Sequence, residues 1–389
     1  MPTELTYAMV TPYSLLKSRT GGIIGRLLSL SNLEFVGARL YAPTDGFVDQ
    51  YVATIADQRM EARFKTALMG YVNDNLRRNN RLGISNRVTV LLFEGEDATK
   101  RLRDVIGPIS DHLKGDTVRG TYGDFVCGAS GDVEYFEPAV LSAADPGMSK
   151  KQLALLAEYA ESDGGVLERV VKFPAGAKPE TTLVILKPDS LRRGSSRPGN
   201  IIDMFSRTGL YIVAAKLLRM SVAQAEEFYR PVREMFVDKL RDRVAAKIAA
   251  ALQSQFDFET PESTLGRMAD LLKEPNADCE FRKIVKYMTG VDPASVWSAS
   301  EKKKPGAEKC LCLLYRGENA IDKIRERLGA TNPQKAEPGT VRSVYGYDLM
   351  QNQAHASDST ENAERERKIV GLWKEEKPCE FRQLIESYL

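Results

Sequence analysis

Residues Met9-Val-Thr-Pro12-Tyr-Ser-Leu15 return 176 positions later as Ile185-Leu-Lys-Pro188-Asp-Ser-Leu191. Each run is followed by a glycine-bearing loop, an apolar helix pattern and a strand pattern, Phe35 to Leu40 in one case and Tyr211 to Leu217 in the other. Further on, Phe93-Glu-Gly95 pairs with Tyr315-Arg-Gly317, and Thr117-Val-Arg119 with Thr340-Val-Arg342, now at offsets of 222 and 223. A repeat of this length constrains the fold more than any single motif, because one unit has to be built twice. Each copy reads as strand, helix, strand, helix pair, strand, helix, Gly/Pro-rich loop, short strand and last helix. Alternation at that scale predicts an α+β fold, a ferredoxin-like split βαβ sheet covered by helices on one face and duplicated.

The change of offset means that about 46 residues entered the second copy between the anchors. Most fall between Tyr229 and Phe281, where Leu240, Val244, Ile248 and Leu252 recur every four positions as an amphipathic helix requires. Thr260-Pro261 reads there as an N-cap followed by proline in the first turn. Glu301-Lys302-Lys303-Lys304-Pro305-Gly306 reads as a solvated loop. The expected organisation is a first domain at 1–148, a helical linker at 149–179, and a second domain at 180–389 carrying a helical insertion at about 236–278.

With 28% charged residues, a net charge of +2 and basic residues spread along the chain, nothing global points to nucleic acid or a membrane as partner. No window approaches the apolar length of a membrane span and the first residues lack a secretory pattern, so a soluble, cytoplasmic protein is expected. The five cysteines form no Cys-x-x-Cys pair and are expected to be reduced. Cys310 and Cys312 should share a strand face.

Only two histidines occur, His112 and His355. His112 sits past Gly107 in loop-like sequence and reads as exposed. His355 lies in Asn352-x-x-His355-x-Ser357-Asp358, a dense polar setting. An imidazole there can act as base, metal ligand or covalent phosphoryl carrier, and the flanking residues favour the carrier.

Thr182-Leu-Val-Ile-Leu-Lys187-Pro-Asp189, Gly329-Ala-Thr331-Asn332-Pro333 with Glu337-Pro338-Gly339-Thr340-Val-Arg342, and the His355 motif occur in that order. Together they resemble the nucleoside diphosphate kinase family over roughly residues 180–230 and 279–375, whereas the first copy matches in architecture only. The resemblance implies reversible transfer of a γ-phosphate between nucleotides by a ping-pong mechanism through phospho-His355. It implies that Lys187 holds the transferring phosphate, that Arg325 and Arg342 grip the phosphates with help from Thr331, and that Asn352 contacts the sugar while Phe281 stacks on the base. Glu366, eleven residues after the histidine, would accept a hydrogen bond from the non-attacking ring nitrogen, with Ser357 nearby and Tyr229 bracing the region. Nucleoside triphosphates and diphosphates are the implied substrates, Mg²⁺ the implied cofactor, and a homo-oligomer the implied assembly. No P-loop is present, so phosphates would be held by side chains.

The first copy has Thr11 in the place of Lys187, Tyr13 in that of Asp189, and Ile109 or Ser110 in that of Thr331. Aligning Asp145 with Asp358 puts Ser142 opposite His355. Arg103 and Arg119 remain opposite Arg325 and Arg342. The first copy is therefore expected to be structural, and a non-catalytic nucleotide sensor or scaffold is the alternative for the whole chain.

Overall fold

The computed structural model describes residues 3–110, 115–373 and 378–389, and the backbone alone at 238. His112 lies outside the described residues. Ten strands are described: β1 (Glu4–Val10), β2 (Glu34–Tyr41), β3 (Val88–Gly95), β4 (Asp124–Cys127), β5 (Val133–Glu137), β6 (Val140–Ser142), β7 (Pro179–Leu186), β8 (Tyr211–Leu218), β9 (Cys310–Glu318) and β10 (Ala354–Ala356). They form two four-stranded sheets, ordered β2-β3-β1-β6 and β10-β7-β9-β8, plus the hairpin β4-β5. The order is the same in both copies, and β1 and β7 each run antiparallel to both neighbours. This is the ferredoxin-like α+β arrangement, built twice.

Two compact units result, one of Met1–Leu217 with Leu311–Leu389, the other of Leu218–Cys310. The first holds both sheets. Coverage on one face only was expected for each sheet, but along β1 the residues Ala8 and Val10 enter one core while Leu5, Tyr7 and Met9 enter another. An almost unbroken apolar run records burial on both sides. The second of these cores lies under helices Asp45–Ala56, Ala62–Asn75 and Pro146–Glu158, and the C-terminal helix Glu380–Glu386 returns to it, with Phe381 edge-on to Tyr41. Helix Pro146–Glu158 runs across position 148, capped by the Asp145 side chain with proline in its first turn.

In the other core the copies meet directly. Helix Thr20–Leu30 of the first packs on Arg197–Ser206 of the second, and Ile24, Leu28, Ile201, Ile202 and Phe205 share its interior. Glycines set the approach: a Cβ on Gly199 would lie 2.1 Å from the Gly21 carbonyl oxygen and 2.5 Å from the Gly25 nitrogen. The apolar faces are held as close as their backbones permit.

The second unit is helical, with Val222–Lys239, Arg241–Gln253 and the long Glu262–Thr289. Arg233 pairs with Asp278 at 2.6 Å and Arg241 with Asp270 at 2.7 Å across these helices. Of the predicted apolar ladder only Val244 is buried, so the stripe is half-exposed. Pro261, rather than Thr260, occupies the N-cap of the long helix, and no side chain caps it. The lysine-rich segment is also partly helical. Ser298 and Glu301 form a capping box that starts Ala299–Lys302, and Lys302 pairs with Glu226 at 2.8 Å. All five cysteines are free, with Cys310 and Cys312 buried on β9. No helix among the described residues is long and apolar enough to cross a membrane.

Candidate active site

β10 is only three residues long, yet its pairing with β7 fixes the histidine. His355 lies opposite Ile185, between Ala354 against Leu186 and Ala356 against Val184. Side chains alternate across a strand, so Ala354 and Ala356 enter the core and the imidazole points away, partly exposed. Helix Thr360–Ile369, capped by Ser359, carries Glu366 beneath the ring. Glu366 is 4% exposed, and its Oε2 lies 2.9 Å from His355 Nε2 while accepting the Ser357 hydroxyl at 2.7 Å. A carboxylate accepts only, so Nε2 carries the proton of this bond, and in the neutral imidazole the lone pair is then on Nδ1.

Lys187 directly follows β7 and is buried. Its ammonium donates to the Asn352 side-chain oxygen at 2.7 Å and to the Met350 carbonyl at 3.2 Å. Asn352 in turn donates to the carbonyls of Thr331 and Leu349. Arg342 donates to the Gly329 carbonyl at 2.9 Å and to the Ala354 carbonyl at 3.1 Å, one residue before the histidine. Lys187, Thr331, Arg342, Asn352, His355, Ser357 and Glu366 are thus brought into one connected neighbourhood. Arg325 is exposed, in the last turn of helix Ala320–Leu328. Tyr229 and Phe281 belong to the second unit, in helices Val222–Lys239 and Glu262–Thr289.

One element went unassigned in the sequence. Gln353 takes a left-handed backbone, φ 71°, and its side chain and amide both donate to Asp189 while Ser190 donates to its carbonyl. The recurrence of serine at Ser14 and Ser190 was its only signal, since a glutamine at positive φ carries no sequence mark.

The first copy repeats the backbone cage without the chemistry. Thr11 N–H donates to the Ala139 carbonyl as Lys187 N–H does to that of Gln353, and Ala139 likewise has a positive φ, 58°. In that register Leu141, opposite Met9, stands at the position of His355, not Ser142. The slip has a physical source: Asp145 is the N-cap of its helix and so matches the N-cap Ser359 rather than Asp358. Thr11 is hydrogen-bonded to the buried Glu137 carboxyl, whose pKa is raised by that burial. Arg119 donates to the carbonyls of Gly107 and Val140, the exact counterparts of those held by Arg342, and burial pushes its pKa down to about 10. Arg103 donates to the Ala144 carbonyl. Hairpin β4-β5 lies over this region through the ring contacts Phe64–Phe125, Phe125–Phe136 and Phe136–Tyr71. The space left beside Arg119 and Glu137 is about 10 Å³, room for one water.

Fold and site together define a duplicated ferredoxin-like protein with one carboxylate-oriented histidine beside a lysine and arginine cluster. The model of the family described as nucleoside diphosphate kinase matches residues 180–255 and 304–375. Proteins named nucleoside diphosphate kinase from Persephonella marina, Bdellovibrio bacteriovorus and Campylobacter hominis are 31%, 30% and 30% identical to it. Each comparison covers 48% of this chain and 89%, 89% and 91% of those proteins, respectively. The chain belongs to the nucleoside diphosphate kinase family.

Proposed function

We propose that the chain transfers the γ-phosphate of a nucleoside triphosphate to a nucleoside diphosphate through phospho-His355. The observation that carries this reading is the bond from His355 Nε2 to Glu366, which leaves Nδ1 as the nucleophile. Nδ1 attacks the γ-phosphorus, the bond from that phosphorus to the β,γ-bridging oxygen breaks, and the diphosphate leaves with the electron pair. Attack on the phosphohistidine by a second diphosphate reverses the step and restores the imidazole. The Glu366 carboxylate offsets positive charge on the ring while the phosphoryl group is carried, and Ser357 holds that carboxylate in place. Lys187 and the exposed Arg325 supply charge for the phosphates, with Thr331 as a further donor. Arg342 fixes the backbone on either side of the site and presents its remaining charge there. Asn352 orients Lys187. Tyr229, expected to brace the histidine region, and Phe281, expected to stack on the base, lie in the second unit.

Among the described residues no group of three or more His, Cys, Asp or Glu side chains is placed to hold a metal. Mg²⁺ would be held by nucleotide phosphates and water, where it would neutralise phosphate charge beside Lys187 and Arg342. The first copy serves as a structural partner, its lysine, histidine and asparagine positions being Thr11, Leu141 and Pro138. Incubation with γ-labelled ATP should give acid-labile, base-stable label that GDP discharges, and His355→Ala should remove it. Wild-type protein that takes no label, or equal label on His355→Ala, overturns the proposal in favour of a sensor or scaffold.

A further inference from the structure

A basic cavity lies away from His355, wholly within the larger unit. Its volume is about 960 Å³, at the upper end of the range that small-molecule sites occupy. Arg78 and Asn79, just past helix Ala62–Asn75, line one side, Arg169 and Lys172 from the segment before β7 another, and Tyr211 at the start of β8 a third. Arg87, only 6% exposed, also lines it. No aspartate or glutamate is among the lining residues.

Arg87 makes the cavity more than a cluster of surface charges. Its guanidinium donates to the Ser85 hydroxyl and to the Ile212 carbonyl, and stacks 5.3 Å from the Tyr211 ring centroid. Those contacts position it and satisfy donors, but they bring no negative charge. Burial pushes its pKa down to about 10, the response expected of a desolvated cation lacking a carboxylate partner. Arg78, Arg169 and Lys172 form no ion pair with any described residue. Four cations therefore face one cavity without a counter-charge from its walls. A buried charge held in that state costs stability, which an incoming anion offsets. Several separated cations call for several anionic groups on one ligand, and guanidinium forks match phosphate oxygens in particular.

We infer that this cavity binds a small polyphosphorylated anion at a site separate from the phosphotransfer histidine. The inference stands independently of the activity proposed for His355.

Hydrogen exchange of the full chain, followed by mass spectrometry with and without sodium tripolyphosphate at constant ionic strength, reads the two sites on different peptides. Tripolyphosphate should slow exchange at 76–88 and 166–174. In Arg169→Ala/Lys172→Ala, both exposed positions, the concentration for half-protection there should rise at least about tenfold. Label uptake by His355 should not change in that variant. The inference is overturned if those peptides show no protection, if the double variant is protected equally, or if sulfate at matched ionic strength protects as well. Protection by a single-stranded oligonucleotide at lower concentration than tripolyphosphate also overturns it, in favour of a nucleic-acid surface.

Discussion

Replacing Gly199 by alanine pits helix propensity against the seam between the copies. In an isolated helix the change is favourable by about 1 kcal/mol, because glycine loses more backbone freedom on folding. Here the new Cβ would lie 2.1 Å from Gly21 O, 2.5 Å from Gly25 N and 2.7 Å from Gly25 Cα. All three are backbone atoms in helix Thr20–Leu30, so no side-chain rotation relieves them and the helices must move apart by roughly an ångström. That movement loosens Ile24 and Leu28 against Ile201, Ile202 and Phe205, where each carbon pair loses a fraction of about 0.1–0.2 kcal/mol. Overpacking of this kind costs about 1–3 kcal/mol and more where backbone is hit, so a net loss of about 2 kcal/mol is expected. Gly70→Ala is the control: nothing lies within 4 Å of its added Cβ, in mid-helix Ala62–Asn75, and it should gain about 1 kcal/mol. Urea unfolding followed by circular dichroism compares the two. If Gly199→Ala unfolds at the same or higher urea than wild type, the close packing of the copies is wrong.

Glu366→Gln keeps the shape but removes the charge that orients His355, and phosphoenzyme formation measured by rapid quench should slow roughly 10- to 100-fold, with Ser357→Ala costing less. Arg342→Ala should destabilise the chain by about 2–3 kcal/mol, because the Gly329 and Ala354 carbonyls lose their donors, whereas Arg325→Ala, exposed, should weaken nucleotide use at unchanged stability. Equal urea midpoints for the two variants would refute that division of labour. Glu137 has a raised pKa in the fold, so the folded state binds its proton more tightly and stability falls as pH rises through the ordinary carboxyl value. Glu137→Gln should therefore match wild type at low pH and exceed it near neutrality, and a difference independent of pH in urea midpoints would contradict this.

The duplication and the strand order were legible because anchors such as Pro12 with Pro188 and Arg119 with Arg342 serve the backbone, and backbone needs recur with the fold. Thr11 and Lys187 show this, differing wholly in side chain while donating the same amide to the same partner position. The histidine site was legible for the opposite reason: its residues are chemically specific and cluster within short motifs. What escaped was register and coverage. Asp145 and Ser359 cap equivalent helices with different residues, so aligning aspartate with aspartate shifted β6 by one position. In a strand that shift exchanges the two faces and put Ser142, instead of the buried Leu141, opposite the histidine.

That leucine shows why the first copy cannot regain transfer by one substitution. β6 at Leu141 faces the core with Tyr7, Met9 and Val88. A histidine there would need a carboxylate on the following helix at the place of Glu366, and the residue at the matching offset is Gln152, which already accepts from Tyr7 and donates to Thr54. In a chain that lacks His355, Leu141→His should therefore take up no label from γ-labelled ATP. The oxygen of Gln152 is committed to a phenol and Thr11 to Glu137, so the positions of Glu366 and Lys187 in the second copy carry internal hydrogen bonding and packing in the first. Label on the double variant Leu141→His/His355→Ala would show that the cage alone suffices, and that the surrounding side chains matter less than their hydrogen bonds indicate.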